Sequence, residues 1–112
     1  MNYKFAIPVD NGKISEHFGR AGEYCIVEVA DGKIVSQKNL PGPLHDRGMI
    51  PAWLAENKVT HVLADGIGKY AIEILNDYKI EVIWGVPHDE PERLVRAFLD
   101  SSLTAGLNLC DH

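Results

Sequence analysis

Asp31-Gly32, set between residues 23–30 (EYCIVEVA) and 33–39 (KIVSQKN), constrains this chain more than any other feature. Both flanking runs are β-rich, and the dipeptide between them tolerates the positive φ that a two-residue hairpin turn demands. Residues 3–9 (YKFAIPV) alternate, with Phe5, Ile7 and Val9 on one face, and read as a strand that Asp10-Asn11-Gly12 ends. Three sequential strands with short links make an antiparallel meander. The third then runs parallel to the first.

Leu40-Pro41-Gly42-Pro43 breaks the sheet. A helix is expected next, with Pro51 in its first turn, a stripe of Ile50, Trp53 and Leu54, and Asn57 as a left-handed C-terminal residue. Residues 59–64 (VTHVLA) read as a short buried parallel strand. Ala71, Ile74, Leu75 and Tyr78 stand at helical spacing, and residues 80–84 (IEVIW) form another strand. The last helix is announced by Asp89 as N-cap, Glu92 three residues on and Pro91 in the first turn, with a stripe of Leu94, Val95, Phe98 and Leu99. The tail from Ser101 to His112 has no clear period.

The helix after the third strand carries the chain back by a right-handed crossover, so the fourth strand lies beside the first and the fifth beyond it. The expected fold is therefore α/β, a five-stranded mixed sheet of order 3-2-1-4-5 with about three helices in a three-layer arrangement, as in a ribonuclease-H-like sheet. A chain of 112 residues fits one domain, here 1–112, and its 46% hydrophobic content can bury a core without disulfides.

Composition excludes several classes of function. No apolar run approaches the ~20 residues of a membrane span, and no basic, then apolar, leader opens the chain, so a cytoplasmic protein is expected. Two cysteines, Cys25 and Cys110, cannot build a disulfide framework. Eleven Lys and Arg against sixteen Asp and Glu leave a net charge of −5, which argues against a nucleic-acid partner.

In the expected topology, strands one, three, four and five all end on one edge of the sheet. Their outgoing loops, roughly 10–20, 40–48, 65–68 and 85–90, crowd together where α/β sheets bind ligands. His17, His45 and His88 lie on three different loops of this set, whereas His61 lies within a strand. Convergent imidazoles suit zinc, iron or a metal cluster, although a single surface histidine is more often only solvated. His17 and His45 are the stronger candidates, since His88 stands just before a helix cap.

Asp65-Gly66-Ile67-Gly68 lets the backbone approach a ligand, with free N–H groups at the helix start; the plainer alternative is a tight βα turn. Arg20, Arg47 and Lys69 could add charge for an anion. The terminal Cys110-Asp111-His112 offers a thiolate and an imidazole to one metal, or is an incidental tail. Cys25 alternates with Val27 and Val29 and reads as a packed small hydrophobe. No nucleophile with an oriented base is evident, Ser15 and His17 included.

The stretch Ile7-Pro8-Val9-Asp10, then Ser15-Glu16-His17-Phe18-Gly19-Arg20-Ala21, resembles the opening of the dinitrogenase iron–molybdenum cofactor biosynthesis domain family. So does Val62-Leu63-Ala64-Asp65-Gly66-Ile67-Gly68-Lys69-Tyr70-Ala71, on to Leu75 and Ile80-Glu81-Val82. The resemblance covers nearly the whole chain. It implies a ribonuclease-H-like fold and a non-catalytic protein that binds or carries iron–molybdenum cofactor or another metal–sulfur cluster. It implies cofactor contacts at His17, Arg20, His45, Gly66 and Gly68, and metal ligands among His17, His45, Cys110 and His112. Cluster donor or acceptor proteins would be its partners, and two chains could share one site as a homodimer. The region His45-Asp46-Arg47-Gly48 carries fewer histidines than the richer members of the family.

Two other readings remain. Asp10 and Asp65, at the ends of neighbouring strands, could hold metals for a ribonuclease-H-like nuclease, with Glu16 or Asp46 as a further ligand. A ligand-free interaction module could instead use Trp53, Trp84 and Tyr78 at an interface.

Overall fold

The computed structural model describes residues 2–42 and 49–105, together with the backbone of residues 109–110. Strand β1 (Tyr3–Asp10) leads into the short β2 (Lys13–Ile14), then a 3-10 turn over Phe18–Arg20, then β3 (Glu23–Ala30) and β4 (Lys33–Pro41). Helix α1 (Met49–Glu56), β5 (His61–Leu63), β6 (Ile67–Gly68) and α2 (Lys69–Asp77) follow, then β7 (Glu81–Ile83), α3 (Pro91–Leu99) and β8 (Leu109–Cys110).

The main sheet runs β4-β3-β1-β5-β7, with β2 paired to β1 outside that path. β3 is antiparallel to both β1 and β4. β5 is parallel to β1, and β7 to β5. The sheet has six strands where five were expected, and β6 and β8 form a second, two-stranded sheet. Asn11-Gly12 is the reason for β2: both residues take positive φ, 53° and 83°, and turn the chain straight back on β1. Asp31 and Gly32 do the same between β3 and β4, with φ of 52° and 77°.

Both faces of the sheet are covered. Ala6, Ile26, Val62 and Val82 point to one side, where Ile50 and Leu54 of α1 and Leu75 of α2 close over them. Phe5, Ile7, Val9, Cys25, Val27, Val29 and Leu63 point to the other, against Leu94 and Val95 of α3. Strand β1 is consequently buried without a break from Phe5 to Val9, as a central strand between two helical layers must be. Trp53 and Trp84 are half-buried against the first core. Among the described residues no helix is long and apolar enough to cross a membrane.

Three local expectations are corrected. The left-handed residue after α1 is Lys58, with φ 61°, because Asn57 still donates its main-chain N–H to Trp53 (3.1 Å) and extends the last turn. The N-cap of α3 is Glu90 rather than Asp89. Asp89 gives its carbonyl to the N–H of Ile14 (3.0 Å) and is thereby tied to the first loop, leaving Pro91 to start the helix. Tyr78, set on the helical stripe by its spacing, is 47% exposed beyond the end of α2 at Asp77, and the buried Ile80 turns inward instead.

At the outer edge, the β3–β4 register shifts between Glu28 and Val29, leaving Val35 as the extra residue, 62% exposed.

Candidate functional site

β1, β4, β5 and β7 end on one edge of the sheet, and the loops after β1, β5 and β7 are held to one another by main-chain hydrogen bonds. Phe18 N–H donates to the Gly66 carbonyl (2.9 Å), and Gly66 N–H donates back to the Glu16 carbonyl (3.0 Å). His17 and Gly66 thus form an isolated parallel bridge between the first loop and the one after β5. Gly85 N–H donates to the Asp65 carbonyl (2.9 Å), which adds the loop after β7.

An open cleft of ≈ 470 Å³ lies between the first loop and the loop after β7, lined by Asp10, Asn11, Lys13, Ile14, Ser15, Glu16, His17, Arg20 and His88. Both expected residues of the first loop, His17 and Arg20, are here. His88 joins them, although its place before a helix had ranked it below His45. The Ile14–Asp89 hydrogen bond draws the α3 entry against the first loop and carries His88 with it. Lys13 was missed altogether; its signal was Asn11-Gly12, which makes the hairpin that sets Lys13 at the rim.

The turn that presents His17 and Arg20 is tightly specified. Ser15, 4% exposed, accepts the His17 N–H on Oγ (3.3 Å) and donates to the His17 carbonyl (3.2 Å). Its hydroxyl is spent on the backbone rather than poised as a nucleophile. Arg20 N–H also donates to the His17 carbonyl (3.2 Å), closing the 3-10 turn, and the Phe18 ring anchors it in the core. Asp10 Oδ1 accepts the N–H of Gly22 (3.4 Å).

Gly66 gives both main-chain groups to the first loop and acts as a joint between loops. Gly68 is the N-cap of α2 and pairs in register with Cys110 of β8, next to the Ile67–Leu109 pair. The backbone of Cys110 therefore lies two residues along the chain from the segment bridged to His17. His45, Arg47 and His112 lie outside the described residues, as does Asp46. His61 stands apart from the cleft: its Nε2 is 2.9 Å from Glu81 and its ring packs edge-on against Tyr3 and Phe98. Cys25 is fully buried, and burial pushes its thiol up to about 11 against a smaller opposing effect of a Gln37 hydrogen bond. It is a protonated packing residue at neutral pH.

Among the described residues no group of three or more His, Cys, Asp and Glu side chains stands close enough to hold a metal ion. A bare ion needing three or four protein donors is therefore not served by those residues alone. The cleft sets two imidazoles, a guanidinium and an ammonium beside the carboxylates of Asp10 and Glu16.

A family model for the dinitrogenase iron-molybdenum cofactor matches residues 1–101. The chain belongs to that family. It is 28% identical over 105 residues to an uncharacterized protein of Methanocaldococcus jannaschii, a match covering 89% of this chain and 88% of that one. Its fold is similar to the crystal structure of PH0822, with a TM-score of 0.85, 26% identity and 96% of each chain covered. It is also similar to the apo form of the orange protein from Desulfovibrio gigas, with a TM-score of 0.79, 19% identity, and 95% of this chain and 94% of that chain covered. At that identity the last likeness speaks for the fold alone.

Proposed function

We propose that this protein binds and carries an iron–molybdenum or related metal–sulfur cluster as cargo, in the cytoplasm and without catalysing a reaction on it. The observation that carries the reading is the meeting of His17, Arg20 and His88 in one cleft at the carboxyl edge of the sheet, in a member of this family. His17 and His88 would offer imidazole nitrogens to exposed metal atoms. Arg20 and Lys13 would offset the negative charge of a sulfide-bridged cluster. His45 in the segment after β4, and Cys110 and His112 in the tail, would complete the ligand set, with the Gly68–Cys110 pairing holding the tail to this edge. The strand order and the two helical layers fit a ribonuclease-H-like fold. The family favours cargo over the nuclease reading of Asp10 and Asp65.

The test is anaerobic purification followed by incubation with iron, sulfide and molybdate, with metal per chain measured by mass spectrometry beside the visible spectrum. Stoichiometric iron or molybdenum with a charge-transfer band is expected, lost in His17→Ala and weakened in His88→Ala and Arg20→Ala. Wild-type protein that is colourless and metal-free both as isolated and after incubation overturns the reading.

A further inference from the structure

Tyr24 lies on β3, outside the cleft, yet its phenol reaches the turn that lines it. The ring is buried, 1% exposed, between Phe18 (centroids 5.8 Å, 70°) and Trp53 of α1 (5.6 Å, 68°). The hydroxyl donates to the Phe18 carbonyl at 2.5 Å. Burial, with the charge of Asp10 second, raises the phenol's pKa, so the group stays a donor.

Phe18 is thus held at both main-chain groups, its N–H by Gly66 and its carbonyl by Tyr24. It lies between His17 and Arg20, the two cleft residues that share the turn. A third contact closes on the same ring from β4. An added Cβ on Gly42 would stand 2.8 Å from Tyr24 Cε1 and 3.3 Å from Cδ1, and Gly42 N–H donates to the Gly22 carbonyl at 3.2 Å. Gly42 immediately precedes the segment that carries His45. One side chain therefore touches the first loop, the end of β4 and α1.

We propose that Tyr24 is the positioning residue of the cleft, holding the His17–Arg20 turn through the Phe18 carbonyl so that imidazole and guanidinium face the same space. Its significance for cargo rests on the function proposed above; its effect on the turn does not.

Tyr24→Phe removes only the hydroxyl and keeps the ring packing. Amide exchange at Phe18 and Arg20 is expected to rise on the order of ten-fold, with the His17 ring signals shifted, while the slowest amides of β1 and β3 keep their rates. Iron and molybdenum loading from iron, sulfide and molybdate should weaken several-fold with the fold intact. Gly42→Ala crowds the same ring with the hydroxyl present, and should disturb the same amides. Unchanged Phe18 and Arg20 exchange and unchanged His17 signals in Tyr24→Phe overturn the proposal. Because exchange is read without cargo, it decides the matter even if wild-type protein loads no metal, a result that would overturn only the cargo reading.

Discussion

The two ends of the sheet are built on different principles. At the end where β3 finishes and β5 and β7 begin, the chain reverses in tight turns through left-handed residues: Asp31 and Gly32, Lys58, and Lys79 with φ 65°. Lys58 N–H to the Ala55 carbonyl (3.0 Å) and Lys79 N–H to the Asn76 carbonyl (2.9 Å) close within their own turns, while Asp31 N–H reaches Asn2 Oδ1 (3.2 Å). At the other end the loops are longer, and their hydrogen bonds run from loop to loop, as in the Phe18–Gly66 and Ile14–Asp89 pairs. A local turn can present only its own residues. Interlocked loops bring His17 and His88, far apart in sequence, to one cleft. Cooperative failure should therefore be concentrated at the cleft end.

Truncation at the cleft end should produce the largest effect. Ile67, 1% exposed, lies between Gly66 and Gly68 and joins the loop to the α1–α2 core. Ile67→Ala is expected to cost about 2–5 kcal/mol in denaturant unfolding and to raise amide exchange at Phe18 as well. A purely local loss of protection would break the comparison. At the turn end, Gly32→Ala places a Cβ at φ 77° and should cost about 1–2 kcal/mol, with no change in exchange at the cleft.

Alkaline pH probes the core between the two ends. The folded Cys25 thiol titrates at about 11 against an ordinary value of 9.0, so folding favours its protonated form. That stability is fully present below pH 9 and is lost as pH rises toward 11. Unfolding free energy should fall across this window, and less steeply in Cys25→Ala; Tyr24, also shifted upward, keeps contributing at the alkaline end. Equal slopes in the two proteins would show that the thiol is not desolvated. The smallest effect is expected from Glu81→Gln at the turn end. Its carboxylate, on a side chain 69% exposed, pairs with His61, and the loss should stay within about 1 kcal/mol.

The turn end was the more legible in the sequence, for the same reason. Asp31-Gly32 states its conformation in two adjacent residues, and helical spacing marks α2 and α3 without reference to anything distant. Asn11-Gly12 carried an equally local signal for β2, but was read only as the end of a strand. The cleft was legible as a set of loops, because strand direction alone sends them to one edge. Which histidines meet there was not, since His88 is placed by the bond between Ile14 and Asp89, a contact with no sequence period. Tyr24 was invisible for the same kind of reason: on β3 it reads as one more core aromatic, and only the position of Phe18 gives its hydroxyl a task. His45 and His112 lie outside the described residues, so their part of the expected site stays with the proposed function.

The irregular pairing along β4 has a consequence for self-association. An open nine-residue edge strand is a template on which further copies could add, growing into fibres. Here the extra residue at Val35 breaks the straight run of donors and acceptors. Lys33 and Lys38 set like charges against any approaching copy, and Pro41 withholds a donor at the far end. The opposite edge, β7, is only three residues long and carries the exposed Glu81. Among the described residues, neither margin of the main sheet offers a long flat surface for edge-to-edge growth.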